Sequence, residues 1–172
     1  RSHFPPDFVW GVAAASYQIE GAAYEGLKGP SVWDEFVKKE GAIANHDTGD
    51  TACDHFHRYE EDVSIMSELG YPVYRLSINW PRVIPDGIGK VYADGLDFYD
   101  RLIDTLLAKN ITPYVTLFHW EYPQALQEKG GWLSPDSPKW FAEYTQVIVD
   151  KLSDRVRNWI TLNEPQCFLV LG

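Results

Sequence analysis

The sequence predicts an α/β fold in which parallel strands alternate with helices. Short apolar runs are separated by stretches whose apolar residues recur at helical spacing. A strand, helix, strand, helix order is typical of parallel pairing, because each helix returns the chain to the same end of the sheet. With 172 residues, 45% of them hydrophobic, the chain is long enough to bury a core. No linker or shift in composition indicates a second domain.

Four strands are predicted from the apolar runs. They are residues 8–15 (FVWGVAAA), 73–78 (VYRLSI), 112–118 (TPYVTLF) and 156–162 (VRNWITL). After a longer first connection, successive strands begin about 40 residues apart, which leaves room for one helix in each crossover.

The connections between the strands carry helix signals. The predicted helices cover residues 32–36, 56–69, 95–108 and 137–152. Ser31 is placed to cap the first of them, and Gly70 follows the second, where glycine favours a helix end. Ser137 and Pro138 supply a cap and a first-turn proline for the last helix.

Composition excludes two classes of partner. Fifteen Lys and Arg against 25 Asp and Glu give a net charge of −10, whereas binding a phosphate backbone requires clustered cations. No run approaches the roughly 18 apolar residues of a membrane span. We therefore expect neither a nucleic-acid partner nor a membrane partner. Aromatic residues form 15% of the chain, a share that fits core packing or stacking against sugar rings.

The two cysteines, Cys53 and Cys167, are far apart in the sequence and in dissimilar surroundings. We expect two buried free thiols in a reducing compartment, which predicts a cytoplasmic location.

The pattern Asp54-His55-x-His57 suggests a metal site at first sight. Residues two apart on a helix point in different directions, so both rings cannot easily bind one ion. A structural or capping role is favoured, and no metal is expected.

Polar and aromatic side chains follow each predicted strand. The segments are SYQIEG (16–21), RLSINW (75–80), HWE (119–121) and NEP (163–165). Amides, an imidazole and carboxylates beside indole rings suit a polyhydroxylated ring, whose faces stack and whose hydroxyls hydrogen-bond. Functional residues leave the carboxyl ends of the strands in a (β/α)8 barrel. A doubly wound nucleotide-binding sheet would instead carry G-x-G-x-x-G after its first strand, and this pattern is absent from the sequence.

The segments in this order resemble the N-terminal half of a family 1 glycoside hydrolase, the β-glucosidase family. The matching pieces are FVWGVAAASYQIEGA (8–22), GPSVWDEF (29–36), GDTACDHFHRYEEDV (49–63), YRLSINWPRVIP (74–85), GLDFYDRLID (95–104), TPYVTLFHW (112–120) and TLNEP (161–165). The resemblance implies a (β/α)8 TIM barrel, of which this chain supplies roughly the first four βα units. Residues 1–172 would then be the N-terminal half of a single barrel domain, with no second domain in the chain.

The resemblance also implies a retaining β-glycosidase that acts on β-glucosides or β-galactosides, and it gives roles to six residues. Those roles are the general acid/base for Glu164, contact with the sugar 2-hydroxyl for Asn163, contacts with the far hydroxyls for Gln18 and His119, a wall of the subsite for Trp120, and support of the nucleophile by charge pairing for Arg75. The mechanism uses carboxylates and implies no cofactor.

The second carboxylate of such a mechanism is not found in this sequence. The family carries its nucleophile in a T/I-x-E-N-G type motif after the seventh strand, and no ENG occurs here. The resemblance therefore places the nucleophile in a C-terminal half, which a second polypeptide would supply. The alternative is an inactive half-barrel fragment or module that self-associates or only binds sugar.

Three details depart from the family pattern or lie outside it. After His-Trp the family commonly has Asp-Leu, whereas this chain has Glu121-Tyr122, which affects the expected loop geometry. Asn79 stands where a smaller residue is frequent, and we assign it no role. The remaining tryptophans are expected mostly in the core, and Trp33 is the one that could line an outer sugar subsite.

Overall fold

The computed structural model describes residues 3–170 and contains one parallel sheet with strand order β1-β2-β3-β4. The strands are β1 (Gly11–Ala13), β2 (Val73–Ser77), β3 (Thr112–Phe118) and β4 (Asn158–Leu162). Each strand pairs in parallel with the next one along the chain, with Gly11 opposite Val73, Val73 opposite Thr112, and Tyr114 opposite Asn158. The carboxyl ends of all four strands therefore lie along one edge of the sheet.

Helices fill every connection. They are α1 (Ser16–Ile19), α2 (Val32–Phe36), α3 (His55–Glu68), α4 (Trp80–Val83), α5 (Ala93–Ala108), α6 (Gln124–Gln127), α7 (Ser137–Leu152) and α8 (Pro165–Val170), with two short 3₁₀ turns at Ala44–His46 and Gly131–Leu133. All four predicted helices are confirmed as α2, α3, α5 and α7. The long helices α3, α5 and α7 are the crossovers between successive strands, as the alternating pattern predicted.

Of the two serines predicted to cap helices, Ser31 is confirmed and Ser137 is wrong. Ser31 caps α2 in a full capping box, because its hydroxyl accepts from the Asp34 N–H while the Asp34 carboxylate accepts from the Ser31 N–H at 2.6 Å. Ser137, by contrast, is the first helical residue of α7 and not its cap. Its hydroxyl donates to the Trp132 carbonyl at 3.3 Å and so ties the helix start to the preceding 3₁₀ turn.

Strand β1 is shorter than the predicted range 8–15. Only Gly11–Ala13 pair with β2, while Phe8, Val9 and Trp10 precede the strand and are exposed. Phe4, Phe8 and Trp10 pack on one another with ring centroids 4.5–4.8 Å apart. The rings therefore shield each other locally. The expectation that the remaining tryptophans lie mostly in the core does not hold for Trp10, which is exposed.

The core lies between the sheet and helices α5 and α7. It includes Leu102 and Leu106 of α5, Val115 of β3 and Ile148 of α7, all of them buried. Trp80 stacks on Tyr144 with ring centroids 4.5 Å apart, which places the short helix α4 against the middle of α7. Aromatic residues thus supply much of the contact that holds the strand ends in place.

A buried polar network that the sequence did not predict lies beneath the strand ends. The Arg82 guanidinium donates to Glu20 Oε2 at 3.0 Å and to the Gly21 carbonyl at 2.9 Å. Tyr99 donates its hydroxyl hydrogen to Glu20 Oε1 at 2.6 Å. Arg82 also lies over the ring of Phe56, 4.4 Å from its centroid. Because these groups come from distant parts of the sequence, the network joins the loop after β1 to α4 and α5.

Cys53 and Cys167 are free thiols, but Cys53 is exposed and Cys167 is only half-buried, so the expectation of two buried thiols is wrong.

His55 and His57 each lie beside carboxylates. His55 Nδ1 lies 2.6 Å from Asp62 Oδ2. His57 lies between Asp54 and Glu25, and hydrogen bonds to these two carboxylates raise its pKa.

Two negative findings hold within residues 3–170. This part of the chain contains no group of three or more His, Cys, Asp and Glu side chains arranged to hold a metal ion. Its helices are all too short or too polar to cross a membrane. The cytoplasmic location stays a prediction.

Candidate active site

Arg75 connects the carboxyl ends of three strands. It belongs to β2, its Nε donates to Thr116 Oγ1 of β3 at 3.0 Å, and its Nη2 donates to Asn163 Oδ1, just after β4, at 2.7 Å. Both acceptors are neutral, and Arg75 makes no ion pair within the described part of the chain. The acidic partner that the resemblance implies for Arg75 is therefore not among residues 3–170.

The contact with Arg75 fixes the orientation of the Asn163 amide. Because the side-chain oxygen accepts from the guanidinium, the Nδ2 amide group is left to donate. The backbone of Asn163 is held as well, since its carbonyl accepts from Trp120 Nε1 at 3.0 Å and its N–H donates to the Phe118 carbonyl at 2.9 Å. The strand ends thus present Asn163 as an oriented hydrogen-bond donor.

Trp120 and Glu164 both have backbone conformations that side chains disfavour. Their φ angles are 82° and 44°, in the left-handed region. Such strain persists only where surrounding contacts hold it, and it concentrates at functional sites. Two of the six predicted site residues therefore lie at strained turns directly after their strands.

Trp120 forms part of an aromatic wall. Its ring is stacked on Trp33 with centroids 6.4 Å apart and planes 16° apart, and Trp33 in turn lies 5.9 Å from Tyr17. Trp33 is half-buried, at the start of α2. The wall extends from the β3 loop toward the loop after β1, which supports the interpretation of Trp33 as a lining residue beyond the first sugar.

His119 is half-buried beside two charged groups. Burial is the main cause that lowers its pKa, and the positive charge of Arg75 lowers it further, while Glu164 opposes the shift. The imidazole is therefore neutral at pH 7, with one nitrogen that donates and one that accepts. A neutral ring of this kind suits a sugar hydroxyl, which also does both.

Gln18 and Glu164 are the two exposed members of the predicted set. Gln18 lies in α1, and Glu164 lies between β4 and α8. The Cys167 thiol, one turn along α8, donates to Glu164 Oε2 at 3.6 Å. Hydrogen bonds join Arg75 and Trp120 to Asn163, and His119 lies near enough to Arg75 and Glu164 for their charges to act on it. The Gln18 side chain makes no hydrogen bond to these groups within the described residues.

Sequence reasoning missed Glu121 as a site-supporting residue. Its side chain is buried, and its Oε1 accepts the Tyr17 N–H at 2.8 Å across 104 residues of sequence. Burial raises the pKa of Glu121 to about 7, with only partial compensation from Ser16 and Tyr17. The departure from the usual Asp-Leu after His-Trp was the one signal in the sequence that pointed to this position.

Comparison with known proteins decides the family. Residues 1–172 match the sequence model described as "Glycosyl hydrolase family 1". The chain belongs to this family. The (β/α)8 barrel predicted for it is confirmed as well, since the solved structures it matches are barrel β-glucosidases and its own strands and helices are the first βα units.

Curated family members from several organisms are similar to this chain. It is 53% identical to the 1,4-beta-D-glucan glucohydrolase of Thermotoga neapolitana over 169 residues, which are 98% of this chain and 40% of that protein. It is 53% identical to Beta-glucosidase A of Thermotoga maritima, covering 98% of this chain and 38% of that protein. Beta-glucosidase 42 of Arabidopsis thaliana is 51% identical over 96% of this chain and 34% of its own length.

Solved structures agree with the sequence relatives. The Thermotoga maritima β-glucosidase in complex with galacto-hydroximolactam superimposes with a TM-score of 0.96 at 53% identity, covering 98% of this chain and 39% of that one. The same enzyme in complex with deoxynojirimycin gives the same TM-score and identity. The chain therefore spans about 40% of the length of the relatives that it matches.

Proposed function

We propose that this chain is the acid/base and glycone-binding half of a retaining β-glycosidase that hydrolyses terminal β-D-glucosyl or β-D-galactosyl residues. Family membership and the β-glucosidase names of the relatives support the reaction class. The observation that carries the proposal is that hydrogen bonds from Arg75 and Trp120 fix Asn163 in place. They orient its amide as a hydrogen-bond donor beside Glu164.

Glu164 acts first as a general acid and then as a general base in this proposal. It protonates the glycosidic oxygen as the nucleophile attacks the anomeric carbon, which releases the aglycone and leaves a covalent glycosyl-enzyme. It then removes a proton from the water that attacks the same carbon, which releases the sugar and frees the nucleophile. Its exposure in this chain agrees with a position at the mouth of a site completed by other strands.

Asn163 and its neighbours bind the sugar. The free Nδ2 amide donates to the 2-hydroxyl, the group whose hydrogen bonds strengthen in the transition state of this reaction class. His119 and Gln18 bind hydroxyls on the far side of the ring, and the indole of Trp120 stacks against the sugar face. Trp33, stacked on Trp120, extends this wall outward.

Arg75 supports the nucleophile. Its Nε and Nη2 are used by Thr116 and Asn163, so among residues 3–170 its Nη1 makes no hydrogen bond and is available to a carboxylate. The guanidinium charge would keep that carboxylate ionised and therefore nucleophilic. One arginine thus links the group that attacks the anomeric carbon to the amide that binds the 2-hydroxyl.

The nucleophile comes from the remaining βα units. In this proposal residues 1–172 are the N-terminal half of one barrel domain, and the rest is supplied as a second polypeptide or as a continuation of the chain. No cofactor takes part, because two carboxylates and water complete the reaction.

A non-catalytic half-barrel that self-associates or only binds sugar is the second candidate. The observation that favours it is the exposed apolar edge, where β1 is the first strand of the sheet and Phe8, Val9 and Trp10 beside it are accessible. An uncovered edge of this kind promotes association with another chain.

The stereochemistry of hydrolysis tests the proposed reaction. The test uses the completed barrel, meaning this chain fused ahead of the part of Thermotoga maritima Beta-glucosidase A that it does not match. We expect proton NMR to show β-glucose as the first product from an aryl β-glucoside, before mutarotation, because double displacement retains configuration. First release of α-glucose would contradict a retaining mechanism.

A further inference from the structure

Glu121 is buried at the junction of the loops that carry the sugar-binding residues. Its exposed fraction is 1%, and it follows His119 and Trp120 directly. Its Oε1 accepts the backbone N–H of Tyr17, the neighbour of Gln18, at 2.8 Å. One side chain therefore joins the loop after β3 to the loop after β1.

The contact continues to a third strand through the neighbouring serines. The Ser16 N–H donates to Ser77 Oγ at 2.8 Å, and the Ser77 hydroxyl donates to Ser16 Oγ at 3.1 Å. Both serines are buried, so these bonds are not exchanged with water. The ends of β1, β2 and β3 are thus connected by hydrogen bonds that all pass through Ser16 and Tyr17.

One oxygen of Glu121 is left without a partner. Within the described part of the chain Oε2 is buried and makes no hydrogen bond. A buried acceptor of this kind costs free energy, and an ionised one costs more than a neutral one. The arrangement is therefore suited to a protonated carboxyl, in which Oε1 still accepts from Tyr17.

We propose that Glu121 is a positioning residue that holds the Gln18 loop against the His119–Trp120 loop and thereby sets the affinity of the glycone subsite. This inference rests on the proposed function, because it takes Gln18, His119 and Trp120 to be the groups that bind the sugar. Glu121 itself touches no substrate. It acts through the N–H of Tyr17 and through its own place in the β3 loop.

The expected pH dependence follows from the burial of the carboxyl. Since the packed loops raise the pKa of Glu121 from 4.5 to about 7, they bind its proton more tightly than an open, hydrated arrangement does. Relative to the open arrangement, the packed one is therefore most stable below pH 4.5, loses stability as pH rises from 4.5 to about 7, and changes no further above that, where the carboxyl is ionised in both. Sugar affinity should fall over the same range.

Other titratable groups lie near Glu121. Glu20, at the end of α1, accepts hydrogen bonds from Arg82 and Tyr99. The pKa of Tyr144, from α7, is raised well above 10 by burial, so its hydroxyl stays neutral. The pKa of His119, at the sugar site, is lowered, so the ring stays neutral above pH 6.5.

The test measures the dissociation constant of a neutral phenyl thio-β-glucoside between pH 6 and pH 9. It uses the completed barrel with Glu164→Gln, which removes the acid/base carboxyl, and compares it with the Glu164→Gln/Glu121→Gln double variant. We expect affinity to fall about tenfold between pH 6 and about pH 7.5 and then to level off in the first protein, and to be flat in the second, because Gln keeps the acceptor for Tyr17 and does not ionise. The same pH dependence in both proteins, or none in either, overturns the proposal.

A second measurement leaves Glu121 unchanged and so does not depend on the folding of a Glu121 variant. With ¹⁵N-tyrosine in the Glu164→Gln barrel, the Tyr17 amide proton should titrate with a midpoint near pH 7 as its acceptor ionises. An amide shift that is constant from pH 6 to pH 9 overturns the proposal. Failure of the proposed function is distinguishable, because the barrel with Glu164 intact would then not hydrolyse β-glucosides at all, whereas failure of this inference leaves that turnover in place.

Discussion

Replacing Glu164 by Gln in the completed barrel is expected to lower kcat/KM about 10³-fold for alkyl β-glucosides, whose leaving groups need protonation. Dinitrophenyl β-glucoside, whose leaving group departs without a proton, should lose less than about tenfold. The measurement is a plot of log kcat/KM against leaving-group pKa, which should be much steeper in the variant. The parameter kcat/KM is used because it reports on formation of the glycosyl-enzyme and excludes the later water step.

A matched control separates this effect from a general loss of structure. Glu143 of α7 is exposed and lies 3.9 Å from Lys139, with no part in the site. Glu143→Gln should leave the plot unchanged for all leaving groups. An equal loss for alkyl and dinitrophenyl substrates in Glu164→Gln would contradict the acid role and indicate a structural one.

Arg82→Met is expected to lower the free energy of unfolding by about 3–5 kcal/mol, the largest loss of stability among the substitutions considered. The substitution leaves the buried Glu20 carboxylate without its cation and the Gly21 carbonyl without its donor. Urea unfolding of the completed barrel measures the change. The exposed pair Arg58–Glu61 provides the control, and Arg58→Met should produce no resolvable change because solvent screens that pair.

The double variant Arg82→Met/Glu20→Leu tests the physical reason for that loss. Removing both charges removes the unpaired carboxylate, so the double variant should be more stable than Arg82→Met alone. A double variant at least as unstable as the sum of the two single changes would show that packing, and not the isolated charge, causes the destabilisation.

Local signals in the sequence were sufficient for most elements of the fold. The apolar spacing of residues 56–69, the glycine after them and the Ser31 cap all report on neighbours within a few residues. The length of β1 could not be predicted in this way. An apolar run such as 8–15 predicts a buried strand, but pairing with β2 covers only Gly11–Ala13, and that depends on the partner strand.

For the candidate site as well, local sequence patterns were sufficient for some features, whereas features that depend on distant residues could not be predicted. The family motifs placed Arg75, His119, Trp120, Asn163 and Glu164 at strand ends, and in the structure hydrogen bonds link Arg75 and Trp120 to Asn163. The orientation of the Asn163 amide could not be predicted, because its donor lies 88 residues away. The Glu20–Arg82–Tyr99 network and the bond from Tyr17 to Glu121 were missed for the same reason, since each joins residues more than 60 positions apart.

Turnover of an aryl β-glucoside by three samples tests the central claim most directly. The samples are this chain alone, the C-terminal part of Thermotoga maritima Beta-glucosidase A alone, and the completed barrel that joins them. We expect no turnover from either part and clear turnover from the completed barrel, because the acid/base and the nucleophile lie on different parts. Replacing Arg75 by Met in the completed barrel should abolish this turnover, because the substitution removes the charge that supports the nucleophile. A completed barrel that folds but is no more active than its parts would contradict the claim and leave the non-catalytic half-barrel as the function of this chain.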